Sequence, residues 1–162
     1  MRNTLIGTRV GVFCLAVMVA TCVAVTRAEA EQVAMKDLPS AVRAAAEKAI
    51  EGGSLKRVVV EKEDGKMAYS VEAMMGENTK EFTFADDGTL LAEEEDVTFA
   101  KLPKAVRAAA EKYFGGSRDL RASKEIAKNV TSYEIEGHKG GKKVSATFSA
   151  AGALLEREED KD

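Results

Sequence analysis

The sequence contains few residues of the types that carry catalysis or bind metals. Its 162 residues include a single histidine, His138, and two cysteines, Cys14 and Cys22. A zinc site or a nucleophilic site needs several such side chains in one place, and no further His or Cys is present to complete one. His138 lies in a Gly-His-Lys-Gly-Gly segment, which is typical of a hairpin tip. We therefore expect no catalytic residue, no metal ligand, no cofactor and no enzyme activity.

Carboxylates are abundant, and their spacing limits what they can do. Residues 86–88 (Asp-Asp-Gly) lack the spaced oxygen ligands and the closing Glu of a calcium loop, so a turn is favoured. The acidic runs 93–96 and 156–162 could attract cations or basic partners, although such runs are usually a solvated strand end and a frayed tail. Glu72 and Glu81 could face each other on neighbouring strands, where solvated cross-strand residues are the more common arrangement.

The first thirty residues have the layout of a secretory signal peptide. Arg2 and Arg9 flank a polar start, residues 10–25 are mainly apolar, and Ala28-Glu29-Ala30 provides the small residues that a signal peptidase reads. The apolar run is short for a bilayer core of about 30 Å, which disfavours a retained anchor. Lipidation at Cys22 is also disfavoured, because apolar residues continue after it. We predict cleavage after Ala30 and a secreted or periplasmic location, with no membrane attachment after cleavage.

Export has consequences for the chemistry of the remaining chain. Both cysteines lie in the predicted leader, so the exported chain would contain no disulfide and no thiolate. The net charge is −3, and a mildly acidic chain lacks the long-range attraction that drives binding to phosphate backbones. Nucleic acid is therefore not an expected partner.

After the leader, the sequence contains an internal repeat with an offset of 64 residues. Residues 38–48 (Leu-Pro-Ser-Ala-Val-Arg-Ala-Ala-Ala-Glu-Lys) return as residues 102–112, with only Ser40 changed, to Lys104. Such self-similarity is the signature of a duplicated structural unit. We predict a first repeat at residues 31–96 and a second repeat at residues 97–162.

Each unit begins with a helical pattern and continues with strand patterns. A helix is predicted from the Leu-Pro pair to the following Gly-Gly pair, since Val42, Ala45 and Ala46 share one apolar face. The period then changes to two, between turn-forming residues. The predicted strands are residues 55–63, 67–74, 80–85 and 89–96, then 119–127, 131–137, 143–149 and 153–159. The expected class is α+β: two tandem repeats, each a helix packed on a four-stranded antiparallel meander, joined into one continuous curved sheet.

Alternation along these strands separates two faces of the sheet. Aromatic and branched apolar side chains point to one face, which we expect to meet the helices. Polar side chains point to the other face, which we expect to be open and free to contact a partner. The candidate partner-binding residues on that face are Glu72, Met74, Glu81, Thr83, Glu134, Glu136 and Thr147, with His138 at a rim loop.

The order of these motifs resembles a known family. A Leu-Pro-x-Ala-Val helix, a Tyr-x-Val/Ile-Glu strand, a Phe strand and a Gly-x-Leu-Leu segment are similar to the PepSY-like domains described as beta-lactamase-inhibitor-like. The resemblance implies an exported bacterial protein that binds rather than catalyses. By the same resemblance, tandem copies in beta-lactamase inhibitor proteins bind an enzyme through the open sheet face and loops. The second copy departs from the first at residues 150–152, where Ala-Ala-Gly replaces Asp-Asp-Gly, so the copies need not bind the same thing.

The expected function is therefore an exported, non-enzymatic binding module, inhibitor-like by its resemblance, whose partner is a protein or peptide. Two alternatives remain open from the sequence. One is an envelope sensor that binds a small ligand or a cation at the acidic strand ends. The other is a structural envelope protein without a specific partner. The oligomeric state is also left open, because unpaired edge strands can pair between chains.

Overall fold

The computed structural model describes residues 30–63, 65–117 and 119–159. The predicted signal peptide, except for Ala30, lies outside these described residues. Within the described ranges, no helix is long and apolar enough to cross a membrane.

The described chain contains two α-helices and nine β-strands, which confirms the predicted α+β class. The helices are α1 (Ser40–Ala49) and α2 (Lys104–Phe114), each preceded by a short 3-10 helix at Met35–Asp37 or Phe99–Lys101. The strands are β1 (Glu31–Val33), β2 (Ser54–Glu63), β3 (Lys66–Met75), β4 (Asn78–Ala85), β5 (Leu90–Val97), β6 (Arg121–Ala127), β7 (Val130–Lys139), β8 (Lys142–Ser149) and β9 (Leu154–Glu159).

All nine strands form one antiparallel sheet in chain order, from β1 at one edge to β9 at the other, and the sheet is not closed. The middle strand, β5, pairs with β6, and the register runs from Ala92 opposite Ala127 to Val97 opposite Ala122. This pairing makes the sheet continuous. Apart from β1–β2 and β5–β6, whose connections contain α1 and α2, consecutive strands are joined by short turns, which leave only antiparallel neighbours within reach.

The eight predicted strands are all present, and their ends differ from the prediction by no more than two residues. The structure adds β1, which pairs with β2 through Gln32 opposite Val59. A three-residue strand is too short to show an alternating pattern, so the sequence did not reveal it.

The helices begin and end where the local sequence favours it. Leu38 is extended, with ψ 151°, because the following proline disfavours helical backbone in the residue before it. Pro39 is the N-cap and not the first helical residue, which corrects the predicted start by one position. At the other end of α2, Gly115 adopts a left-handed conformation with φ 63° and terminates the helix.

Two clusters of buried residues form the core. In the first, α1 packs against β4 and its neighbours, and the buried members are Leu38, Val42, Ala46, Val58, Tyr69, Val71, Phe82 and Phe84. In the second, α2 packs against β7 and β8, and the buried members are Leu102, Val106, Ala110, Phe114, Ala122, Ile135, Val144, Ala146 and Phe148. Burial of these apolar side chains is the main force that holds the helices on the sheet.

Both helices lie on the same face of the sheet. Lys80 lies two residues from Phe82 of the first cluster and therefore points to the same face. A cross-strand line then leads from Lys80 to Glu95, from Glu95 to Lys124 and from Lys124 to Tyr133, which packs against the second cluster. Directly opposed residues point to the same face. The side chains that alternate with the core residues therefore share the opposite face, which carries neither helix. We call it the open face.

Candidate binding surface on the open sheet face

Four glutamates lie in one cross-strand line on the open face. Glu72 in β3 opposes Glu81 in β4, Glu81 opposes Glu94 in β5, and Glu94 opposes Glu125 in β6. We call these four residues the carboxylate row. Like charges in directly opposed positions destabilise a sheet, so three consecutive pairs of this kind are unfavourable for folding.

The cations that pair with the carboxylate row lie at its β2 end. Arg57 opposes Glu72 in the register, and its Nε is 2.5 Å from a Glu72 carboxylate oxygen. Lys56 also donates a hydrogen bond to Glu72. The second contact of Arg57 is longer, 3.7 Å from Nη2 to a Glu81 oxygen. Compensation of charge therefore decreases from β3 towards the centre of the sheet.

This uneven compensation separates the pKa values of two adjacent glutamates. Burial alone would raise the pKa of Glu72, but hydrogen bonds and positive charge from Lys56 and Arg57 lower it below its ordinary value. Burial raises the pKa of Glu81 to about 7, and the charge of Glu94 adds to this increase. Arg57 opposes the increase but does not cancel it. At neutral pH Glu81 is therefore divided between its protonated and ionised forms.

The pKa values of two further carboxylates near Glu94 are also raised. Burial raises the pKa of Glu125, against a hydrogen bond that Ser132 donates to it over 3.2 Å. Burial also raises the pKa of Glu134, and the nearby charges of Glu94, Glu136 and Glu158 add to the effect. The charge of Glu94 thus contributes to raised pKa values on β4, β6 and β7.

A row of small side chains lies beside the carboxylate row. Ser70, Thr83, Ala92 and Ala127 oppose one another in register across β3 to β6. Thr83 and Ala92 are each only 3% exposed, although neither helix covers this face. The longer side chains around them therefore cover these two residues, whereas Ala127 is partly exposed. Ser70 and Thr83 hydroxyls are hydrogen-bonded to each other over 3.0 Å.

A second cross-strand line lies on the open face, and each of its positions is 64 residues further along the chain than Arg57 and the first three members of the carboxylate row. Arg121 opposes Glu136, Glu136 opposes Ser145, and Ser145 opposes Glu158. Lys143 lies 3.7 Å from Glu136. Ser145 stands where the first line has Glu81, so a serine is accommodated at that position of the sheet.

The register places all eight candidate residues from the sequence on the open face. Two of them differ from what was predicted. Thr83 is buried among its neighbours, so it is not available for direct contact with a partner. His138 is not in a rim loop, because the turn is made by Gly140 and Gly141, both with positive φ, and β7 therefore continues to Lys139. His138 is exposed and opposes Lys143.

The sequence did not identify Glu94 and Glu125 as members of this surface. Glu94 belongs to the run 93–96, which was predicted to be a solvated strand end but lies in the central strand, partly buried. Its neighbours on β5, Glu93 and Glu95, point to the helix face and contact Lys80 over 2.6 Å and 3.6 Å. The alternation within β5 is the signal that could have separated Glu94 from them. Among the described residues, no group of three His, Cys, Asp or Glu side chains is arranged to hold a metal ion.

Comparisons with known proteins identify similar folds. No protein-family model matches the sequence, and no curated protein matches it. A candidate periplasmic protein of Bacteroides eggerthii has a similar structure, with a TM-score of 0.63 and 17% identity over 75% of this chain and 88% of that one. A DUF2874 family protein of Bacteroides ovatus has a TM-score of 0.61 at 18% identity, over 75% and 87% of the two chains. A BLIP-like protein of Bacteroides fragilis has a TM-score of 0.57 at 21% identity, over 77% and 89%. The chain therefore has a fold like that of DUF2874 and BLIP-like proteins.

Proposed function

We propose that this protein is an exported, non-enzymatic binding module that takes a protein or peptide partner on its open face. The observation that carries the proposal is the carboxylate row. Three directly opposed Glu pairs lie in neighbouring strands of a face that carries no helix. Such pairs reduce stability, each by some tenths of a kcal/mol. Their presence on an uncovered face is understandable if the charges serve a partner.

Two further considerations support the proposal. The solved structures with this fold include a candidate periplasmic protein and a BLIP-like protein, which agrees with a signal peptide at residues 1–30 and with a secreted or periplasmic location. The repeat of 64 residues and the two helix-centred core clusters support a tandem arrangement of two PepSY-like units, residues 31–96 and 97–162. In this arrangement one continuous surface is available to a single partner.

The proposal is tested by capture of a partner followed by measurement of its affinity. The purified protein is immobilised and exposed to an envelope extract of its own host, and retained proteins are identified by mass spectrometry. The affinity of each retained protein is then measured for the native chain and for a variant carrying Met74→Ala, Glu81→Ala and Glu134→Ala. A control with the same change of net charge carries Ser40→Ala, Glu47→Ala and Glu111→Ala on the exposed surfaces of the helices.

We expect the open-face variant to bind at least roughly tenfold more weakly, and the helix control to bind like the native chain. Equal affinity for all three proteins would show that the open face is not the binding surface. A folded bait that retains nothing would remove the support for a binding function and favour a structural role in the envelope.

A further inference from the structure

We propose that the partner presents lysine or arginine side chains to the centre of the open face, with the charged groups beside Glu81, Glu94 and Glu125 and an aliphatic stem against the partly exposed Ala127. This inference rests on the proposed function and specifies the chemistry of the partner. It concerns the place where β4, β5 and β6 adjoin, halfway across the sheet.

The polarity of this place matches a long cationic side chain. Ala127 is apolar and partly exposed, and Glu125 of the carboxylate row lies two residues away along the same strand and on the same face. Lysine and arginine place an aliphatic stem on apolar surface while the charged end reaches a polar partner. Neutral or acidic side chains would satisfy only one part of this surface.

The distribution of charge indicates where the cation is missing. Lys56 and Arg57 already neutralise the row at its β2 end. Glu125, at the other end, accepts a hydrogen bond from the neutral Ser132 hydroxyl, and no cation among the described residues is paired with it. A cation from a partner would supply at Glu94 and Glu125 what Arg57 supplies at Glu72, and it would relieve the repulsion between the opposed carboxylates.

The second line on the open face shows that the fold does not require this accumulation of charge. At the position that corresponds to Glu81, the second line has Ser145, which separates Glu136 from Glu158. The sheet is formed there with one carboxylate fewer. Glu81 is therefore better explained by an interaction than by the needs of the strand.

The test uses short peptides of defined composition as probes for the full protein. One peptide contains lysine, glycine and serine, a second has glutamine in place of every lysine, and a third has glutamate there. Binding is measured by fluorescence anisotropy at low salt for three proteins. These are the native chain, an open-face variant (Glu94→Gln with Glu125→Gln) and a helix variant (Glu47→Gln with Glu111→Gln). The two variants change the net charge equally, and the helix residues are exposed on the other side of the sheet.

We expect the native chain to bind the lysine peptide, the open-face variant to bind it roughly tenfold more weakly, and the helix variant to bind it as the native chain does. The glutamine and glutamate peptides should not bind.

The affinity for the lysine peptide should also rise from pH 5.5 to pH 8, because Glu81, which faces Arg57, Glu72 and Glu94, becomes ionised in this range. The variant Glu81→Ser, which copies the second line, should weaken the binding and reduce its dependence on pH.

Several results would overturn the inference. An equal loss in the helix variant would mean that net charge, and not the open face, attracts the peptide. Failure of the native chain to bind the lysine peptide would exclude a cationic ligand, while the capture experiment would still decide the proposed function. Binding of the glutamine peptide that depends on the open face would preserve the proposed function and exclude the cation. Saturable heat with calcium chloride alone, absent in the open-face variant, would assign the row to a metal ion.

Discussion

At the scale of single residues, the protein shows how neighbours decide the properties of identical side chains. Glu72 and Glu81 are directly opposed on the open face. Lys56 and Arg57 hold the pKa of Glu72 below its ordinary value, whereas burial and Glu94 raise that of Glu81 to about 7. The two carboxylates therefore have opposite effects on the pH dependence of stability.

Glu81 should make the protein less stable as the pH rises. Its pKa in the folded state is about 7, above the ordinary value of 4.5, so the folded state binds more protons than the unfolded state between these pH values. The free energy of unfolding then decreases as the pH rises through this window, by at most about 3 kcal/mol from this group. We expect Glu81→Gln to increase the unfolding free energy at pH 8 by about 1–3 kcal/mol, and to change it little at pH 4.5.

Denaturant unfolding of the native chain and of Glu81→Gln at both pH values measures this difference. The exposed Glu111→Gln provides the control, because it removes a carboxylate from the helix surface. A change of the same size at pH 4.5 and pH 8 would contradict the assignment, since a proton-linked effect must depend on pH.

The sequence identified part of this surface and not its centre. Alternation within one strand was enough to assign Glu72, Glu81, Glu134 and Glu136 to the polar face. Glu125 gains its role only through its position opposite Glu94, and that pairing joins β5 to β6 across a stretch of 23 intervening residues that includes α2. Local patterns do not determine which residues of two such strands become partners.

At the scale of elements, each helix is held close to the turn that precedes the last strand of its half of the chain. Gly88 has φ 81°, and a Cβ there would lie 2.7 Å from the backbone oxygen of Ala41 in α1. Gly152 has φ 82°, and a Cβ there would lie 2.6 Å from the backbone oxygen of Ala105 in α2. Both turns therefore need glycine for the backbone conformation and for the close approach of the helix.

Gly152→Ala should consequently destabilise the protein more than an alanine at a glycine that needs only the positive φ. Gly140, with φ 62°, has open space around the position of a Cβ and serves as the matched control. We expect a loss of about 1 kcal/mol for Gly140→Ala and of about 3 kcal/mol for Gly152→Ala, because α2 must move away from the turn. Thermal and denaturant unfolding measure both values. Equal losses would indicate that the turn does not restrain the helix.

The elements themselves were the most predictable part of the fold. The change from a helical period to a period of two, together with the Gly-containing turns, was sufficient to locate both helices and eight strands. The exceptions are instructive: β1 is too short to carry a pattern, and β7 extends through His138 because its hairpin turn is only two residues long. In both cases the pairing with a neighbouring strand, rather than the residue pattern, sets the boundary.

At the scale of the whole molecule, two separate core clusters are connected through one strand pair. The first cluster lies under α1 and the second under α2, and β5 and β6 are hydrogen-bonded along six residue pairs between them. This ladder has one pair more than the neighbouring β4–β5 ladder and one pair fewer than the neighbouring β6–β7 ladder. We therefore expect the two halves to unfold together.

Ile135→Ala tests this cooperativity, because Ile135 is fully buried in the second cluster. Removal of its side chain should reduce the free energy of unfolding by about 2–5 kcal/mol. If the sheet unfolds as one unit, amide hydrogen exchange should show the same loss of protection in β3 of the first half as in β7. Val71→Ala, in the first cluster, provides the reciprocal measurement. Unchanged protection of β3 in Ile135→Ala would show that the halves unfold independently.

The class of the elements, their order and the two faces of each strand follow from the amino-acid sequence, because they depend on periodicities of a few residues and on turn chemistry. The sequence also shows that there is one histidine and that there are two cysteines. A continuous sheet with both helices on one face was expected from the sequence, whereas only the tertiary structure shows that β5 pairs with β6 and that Glu72, Glu81, Glu94 and Glu125 align across four strands. Local patterns do not specify this alignment, because register and burial arise from contacts between distant segments. The charge compensation and pKa values of the open face follow from those contacts.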